Sequence, residues 1–269
     1  MGRLAILAGQ GALPQRIAAA YPDALFVRFQ GLAVDLPGND VLETSYERFG
    51  EMFDGLRAAG VTEVVFAGGL ARPALNPANF DAKMMQLAPR FMAAMKGGDD
   101  ALLRAVIAAF EEEGFVVRGA HDVLPDLTVA ADLLCQDVSA SDQIEADAAQ
   151  GRRIIAALGP LDVTQACVVA NGLCLGIETA QGTEALLRFV RDTRDSLRFA
   201  RGGVLVKRPK PDQDLRIDMP TIGPDTVYQA RDAGLDGICI QAGRVIVLDV
   251  DMVRQRSKET GVRVWATAD

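Results

Sequence analysis

Between Leu205 and Gly223 the chain reads Leu-Val-Lys-Arg-Pro-Lys-Pro-Asp-Gln-Asp-Leu-Arg-Ile-Asp-Met-Pro-Thr-Ile-Gly. Cations and carboxylates stand at short spacing, and prolines stiffen the backbone between them. So long a stretch without helical or strand period, inside a compact domain, is usually functional or disordered. In extended geometry residues i and i+2 share a face, so Asp214, Arg216 and Asp218 are expected to point the same way. Such a face joins acid ligands for a divalent metal with cations for phosphate oxygens, the equipment of phosphoryl transfer. The competing reading is a solvated charged loop, whose ion pairs contribute ~0–1 kcal/mol each.

Four further places have suitable residue types. Gly9-Gln10-Gly11-Ala12-Leu13-Pro14 follows an apolar run and precedes a helix signal. It reads either as a tight strand-to-helix turn or as a loop admitting a phosphate to the helix amino end. A dinucleotide fingerprint would have Gly where Pro14 stands and an acid near Phe29-Gln30-Gly31, so nicotinamide binding is excluded. Gly68-Gly69 with Arg72-Pro73 ends another strand signal; Arg72 is either a phosphate clamp or a surface arginine. In Lys96-Gly97-Gly98-Asp99-Asp100, Asp99 reads as a helix N-cap, or with Asp100 as part of a cation site. The lone His121 is either a general base or a structural residue. Glu111-Glu112-Glu113, at a helix carboxyl end, reads as a solvated face.

These residues need a scaffold. The 269 residues are 49% hydrophobic, with 11 Phe, 3 Tyr and 1 Trp. That is enough for two domains, with cores expected to be aliphatic. Strand signals cover 3–8, 24–29, 62–67 and 115–118, alternating with helix signals at 14–20, 46–59, 80–95 and 99–113. Later strand signals cover 163–170, 173–178, 203–206, 237–240, 245–248 and 262–266, with helices at 141–158, 182–190, 224–233 and 249–258. Asn171-Gly172 marks a hairpin turn. The pattern is α/β with two lobes. Residues 1–132 form a Rossmann-like parallel-sheet domain, and residues 133–269 a mixed-sheet α/β domain carrying the charged loop.

Composition excludes several functions. The net charge is −8, the wrong sign for general nucleic-acid binding. One histidine excludes multi-histidine metal sites. Cys135, Cys167, Cys174 and Cys239 form no C-x-x-C pair and read as buried, reduced core residues. No targeting signal and no run of ~18–20 apolar residues is present, which implies a cytoplasmic protein whose membrane contact is at most peripheral.

Taken together, the motifs resemble a known family, the UDP-2,3-diacylglucosamine pyrophosphatases of lipid A synthesis, a group formed by one domain-of-unknown-function family. The matching pieces include Leu7 to Pro14, Phe66-Ala-Gly68 with Arg72-Pro73, Gly98 to Arg104, Glu113-Gly-Phe115 and Gly119-Ala-His121. They continue with Gly172, Glu178, Gly182-Thr183-Glu184, Lys210 to Gln213 and Arg216-Ile-Asp218-Met-Pro-Thr-Ile-Gly223. Ala233-Gly-Leu235, Gly237-Ile238 and Ala242-Gly243 complete them. Gln10 departs from the Gly common there.

The resemblance implies a hydrolase acting on a phosphoric anhydride. It would split UDP-2,3-diacylglucosamine, bound between two lobes, into UMP and 2,3-diacylglucosamine 1-phosphate. It implies Asp218, Arg216 and Lys210 as catalytic. It implies substrate contacts at Gly11, Ala12, Leu13, Gly68, Gly69, Arg72, Gly98, Asp99, His121, Glu178, Thr183, Lys207, Gln213 and Thr221. A Mg²⁺ or Mn²⁺ ion would be held by Asp218 with Asp214, Asp99 or Asp100. A homodimer that visits the inner-membrane surface is expected. The alternatives are another nucleotide-sugar enzyme or a non-catalytic nucleotide-binding module.

Overall fold

The computed structural model describes residues 2–34, 40–70, 74–131, 141–197, 202–211 and 213–268. Arg72, Asp212, Cys135 and the domain boundary expected near 132 lie outside them. The chain divides into two compact units. One is Met1–Pro125 together with Asp214–Asp218; the other is Asp126–Gln213 with Met219–Asp269.

The first unit contains β1 (Arg3–Ala8), α1 (Leu13–Ala20), β2 (Leu25–Phe29), β3 (Val41–Thr44) and α2 (Phe49–Ala58). It continues with β4 (Val61–Ala67), α3 (Ala82–Met95), α4 (Asp99–Glu112), β5 (Val116–Arg118) and α5 (Ala120–Val123). Its strands form an all-parallel sheet in the order β3-β2-β1-β4-β5. The central strands are buried on both faces, which explains their continuous apolar runs. The aliphatic core expected from composition is joined here by a cluster of phenylalanines. Seven of the eleven phenylalanines belong to this core, and six of them form one group: Phe49, Phe53, Phe66, Phe91, Phe110 and Phe115. Their ring centroids lie 5.1–6.3 Å apart, mostly edge to face. Few aromatics suffice for such a core when one unit holds most of them.

The second unit contains α6 (Asp142–Leu158), β6 (Ala166–Ala170), β7 (Leu173–Ile177), α7 (Gly182–Thr193), β8 (Val204–Lys207) and β9 (Thr221–Ile222). It ends with α8 (Pro224–Asp232), β10 (Gly237–Gln241), β11 (Ile246–Val247), α9 (Val250–Thr260) and β12 (Arg263–Thr267). The main sheet runs β12-β10-β8-β6-β7, parallel from β12 to β8 and antiparallel beyond. β11 pairs with β9 in a separate two-stranded ladder. The core here is aliphatic, with Trp265 as its large ring.

The β6–β7 hairpin turns at Asn171 (φ +50°) and Gly172 (φ +77°), the left-handed pair that a two-residue hairpin requires. The buried Asp147 of α6 accepts both of their backbone N–H groups, at 2.9 and 2.8 Å. Cys167 and Cys239 are buried, but Cys174 is exposed, because β7 is the sheet's edge. Burial pushes the Cys167 thiol up to about 12 and that of Cys239 to about 11. Among the described residues no helix is long and apolar enough to cross a membrane.

Candidate active site

In the first unit, the strand order reverses direction between β1 and β4, and ligands of open parallel sheets gather at the carboxyl ends beside such a point. Both glycine-rich candidates lie there. Gln10 and Gly69 exchange backbone hydrogen bonds of 2.9 Å each, and Gly9 N–H donates to Ala67 at 2.7 Å. A Cβ on Gly68 (φ +90°) would stand 2.4 Å from the Gln10 carbonyl oxygen, so the two loops approach too closely for a side chain. On the other side the loops are open: nothing lies within 4 Å of a Cβ built on Gly11 or Gly69. Ala12 and Leu13 begin α1, whose amino end no side chain caps. Exposed backbone N–H groups at a helix start suit a phosphate.

Segment 214–218 belongs to the same unit. It is not extended, as the alternation suggested; Leu215–Ile217 form a turn. Asp214 causes this. Its Oδ1 accepts the Arg216 backbone N–H at 3.0 Å, and its carboxylate receives the guanidinium at 2.7–3.2 Å. The Arg216 guanidinium holds the Asp214 carboxyl below the usual carboxylate range. Arg216 Nη1 also donates to Glu111 on α4 at 2.6 Å, while Ile217 packs on the apolar core. Arg104 of α4 pairs with Asp100 and adds a favourable field at Asp214.

Glu111–Glu113 are therefore not a merely solvated face. Glu111 holds Arg216, Glu112 meets Arg90, and Glu113 pairs with Arg57 and Lys83. Four cations from other elements offset the unfavourable dipole at that helix end. Asp99 is not the N-cap either. Gly98 (φ +103°) takes that position, and Asp99 and Asp100 form the first turn.

In the second unit, Glu178, Thr183 and Lys207 come together at the carboxyl end of β8. The Thr183 hydroxyl donates to Glu178 Oε1 at 2.6 Å, and Lys207 Nζ donates to Thr183 Oγ1 at 2.5 Å. Beside them, Lys210 pairs with Asp162. The Lys210 backbone N–H donates to Gln213 Oε1 at 2.9 Å, and Gln213 Nε2 donates to Gln165 at 3.3 Å. Thr221 begins β9, its hydroxyl donating to the Met219 carbonyl oxygen at 3.1 Å. His121, on α5 in the first unit, has its Nε2 3.6 Å from Asp122, and its buried Nδ1 has no partner among the described residues.

Sequence reasoning missed Glu111, Arg104, Asp162 and Gln165. Glu111, Asp162 and Gln165 act through partners distant in sequence that no local pattern marks, and Arg104, though inside a quoted motif, reaches Asp214 only through the fold.

The structure also bears on the metal. Among the described residues no group of three or more His, Cys, Asp or Glu is close enough to hold one. Asp214 is committed to Arg216 and Asp100 to Arg104. Mg²⁺ usually takes one or two carboxylates and completes its shell with phosphates and water. Among the described residues the donors therefore make no all-protein cage, and a Mg²⁺ ion would have to complete its shell with phosphates and water.

Comparison with known proteins agrees with the two-unit layout. A model described as the LpxI N-terminal domain matches residues 3–127, and one described as the LpxI C-terminal domain matches residues 133–265. A UDP-2,3-diacylglucosamine pyrophosphatase LpxI of Caulobacter vibrioides is 38% identical over 275 residues, covering 98% of this chain and 97% of that protein. With both domain models matched in order across nearly its whole length, the chain belongs to the LpxI family.

Proposed function

We propose that the protein hydrolyses the pyrophosphate bond of UDP-2,3-diacylglucosamine, releasing UMP and 2,3-diacylglucosamine 1-phosphate. The observation that carries this reading is the 38% identity, end to end, with a protein of that named activity. Two local arrangements support it: the two glycine loops meet in the first unit, and Glu178, Thr183 and Lys207 meet in the second.

The first unit's glycine loops suit the nucleotide. Their open backbone and the amino end of α1 offer N–H donors to phosphate oxygens. Asp214, Glu111 and Ile217 fix the turn that ends in Asp218. Three of the five Arg216 N–H donors meet carboxylates, so this arginine chiefly positions the segment. In the second unit, Lys207 and Lys210 offer positive charge to a phosphate. A Mg²⁺ or Mn²⁺ ion held by Asp218 with the substrate's phosphates would neutralise charge and lower the pKa of a bound water. One P–O bond of the anhydride breaks as the oxygen of water bonds to that phosphorus; UMP and the sugar phosphate leave, and the water's protons pass to solvent. A cytoplasmic homodimer that meets its lipid substrate at the membrane surface completes the proposal.

The test is incubation of the pure protein with UDP-2,3-diacylglucosamine in detergent, with Mg²⁺ or with EDTA, following UMP. Metal-dependent release of UMP with the lipid monophosphate is expected. No release from folded protein overturns the hydrolase reading. Release unchanged by EDTA overturns the metal alone.

A further inference from the structure

The charged trio of the second unit has an incomplete set of hydrogen bonds. Glu178 is 6% exposed and Lys207 5%. Glu178 Oε1 accepts the Thr183 hydroxyl, but Glu178 Oε2, equally buried, has no hydrogen-bond partner among the described residues. Nor does the lysine satisfy it: Lys207 Nζ lies 3.7 Å from the other oxygen, beyond hydrogen-bond range, and is turned to Thr183 Oγ1. A threonine hydroxyl thus stands between two buried opposite charges. In direct contact they would satisfy each other. Held apart, each keeps bonding capacity for a third group.

A buried carboxylate oxygen without a donor destabilises a fold, and apolar residues of similar volume would remove the penalty. Its retention calls for a donor brought from outside. The chemistry of that visitor follows from the pair. It carries an N–H or O–H for Glu178 and, a few ångströms away, an anion for Lys207. Both groups lie near the carboxyl end of β8, beside parallel strands β10 and β12, where ligands of such sheets bind.

On the pyrophosphatase reading, the substrate contains such a pair. Its sugar bears the phosphate at one carbon and an amide N–H on the next. We propose that Glu178 Oε2 accepts this amide N–H while Lys207 meets the adjoining phosphate. The trio is then the subsite that selects a 2-acylamino sugar phosphate, with Thr183 as the residue that positions both charges. The uridine nucleotide binds elsewhere.

The test pairs a variant with a substrate analogue. Glu178→Gln keeps the side chain's shape and its acceptor for Thr183, but turns an N–H toward the entering donor. The analogue, a UDP-2,3-diacylglucose, carries an ester oxygen where the substrate has the amide N–H. The wild type is expected to prefer the amide by about tenfold or more in kcat/KM, and Glu178→Gln to lose that preference. Product inhibition reads the same contact: the inhibition constant of 2,3-diacylglucosamine 1-phosphate should rise about tenfold in the variant, with that of UMP within about twofold. An undiminished preference in the variant overturns the proposal, and so does a wild type that shows none. A change confined to UMP would put the nucleotide at the trio and overturn it as well. The analogue comparison within the wild type stands even if the variant folds poorly. A wild type that cleaves neither substrate would instead defeat the pyrophosphatase reading.

Discussion

The two charged clusters use the same residue types in opposite ways. In the first unit, Arg216 meets Asp214 and, on α4, Glu111, and its side chain is 36% exposed. In the second unit, the Lys207 and Glu178 side chains are 6% and 8% exposed, and one carboxylate oxygen lacks a donor. At a surface, ion pairs form with little loss of hydration and little gain. Their service there is geometric: they fix the turn that presents Asp218. In a buried position an unmatched charge is expensive, so its presence points to a ligand. On the reading proposed above, the saturated Arg216 pairs position the segment and the unsaturated Glu178 oxygen contacts the ligand.

That contrast can be tested at several points. Asp218→Ala should lower kcat by about three orders of magnitude, with an unchanged circular dichroism spectrum. Near-normal turnover in a pure sample would remove Asp218 from the chemistry. Gly68→Ala forces a side chain into a positive-φ site against the Gln10 carbonyl. It should lower the stability measured by urea unfolding by ~1–3 kcal/mol or more. An unchanged midpoint would show that the glycine loops are not locked together.

Arg216→Lys keeps the charge but loses the planar fork. It should reduce kcat by about 10–100-fold with KM nearly constant, as expected of a misplaced catalytic segment. A rise in KM alone would make Arg216 a substrate ligand and blur the distinction drawn above. The smallest effect concerns acid. Asp214 has its folded-state pKa lowered by Arg216, so its contribution is present above the unfolded value of ~3.9 and is lost as pH falls through the lowered one. The stability gap between wild type and Asp214→Asn should be below ~1 kcal/mol near pH 6 and vanish once the pH falls below that lowered pKa. A gap that grows in acid contradicts the sign.

Much of the scaffold was legible. Continuous apolar runs gave the buried parallel strands, and Asn171-Gly172 gave the hairpin, because both signals are local. Val41–Thr44 was not recognised: a four-residue edge strand has too short a pattern. β11 falls within the strand signal at 245–248, but its partner β9 was hidden in a proline-rich stretch, where pairing depends on a strand beyond Gly243. The charged segment was legible as a site but not in shape. The i, i+2 rule assumes a strand, and Asp214 bends the chain back onto its own neighbour. The Glu178–Thr183–Lys207 trio could be named from motifs, but not its unsatisfied oxygen, which only burial reveals.

The assignment of Asp214–Asp218 to the first unit has a consequence for synthesis. When a ribosome has made Met1–Pro125, that unit still lacks the piece that covers part of its core, Ile217 included. The missing piece emerges only after Asp126–Gln213, a delay on the order of ten seconds at ordinary elongation rates. During that interval the nascent amino-terminal half carries an uncovered apolar strip and an α4 without its arginine partner. A chain that stops before Asp214 lacks the segment whose Ile217 packs on this core and whose Arg216 meets Glu111.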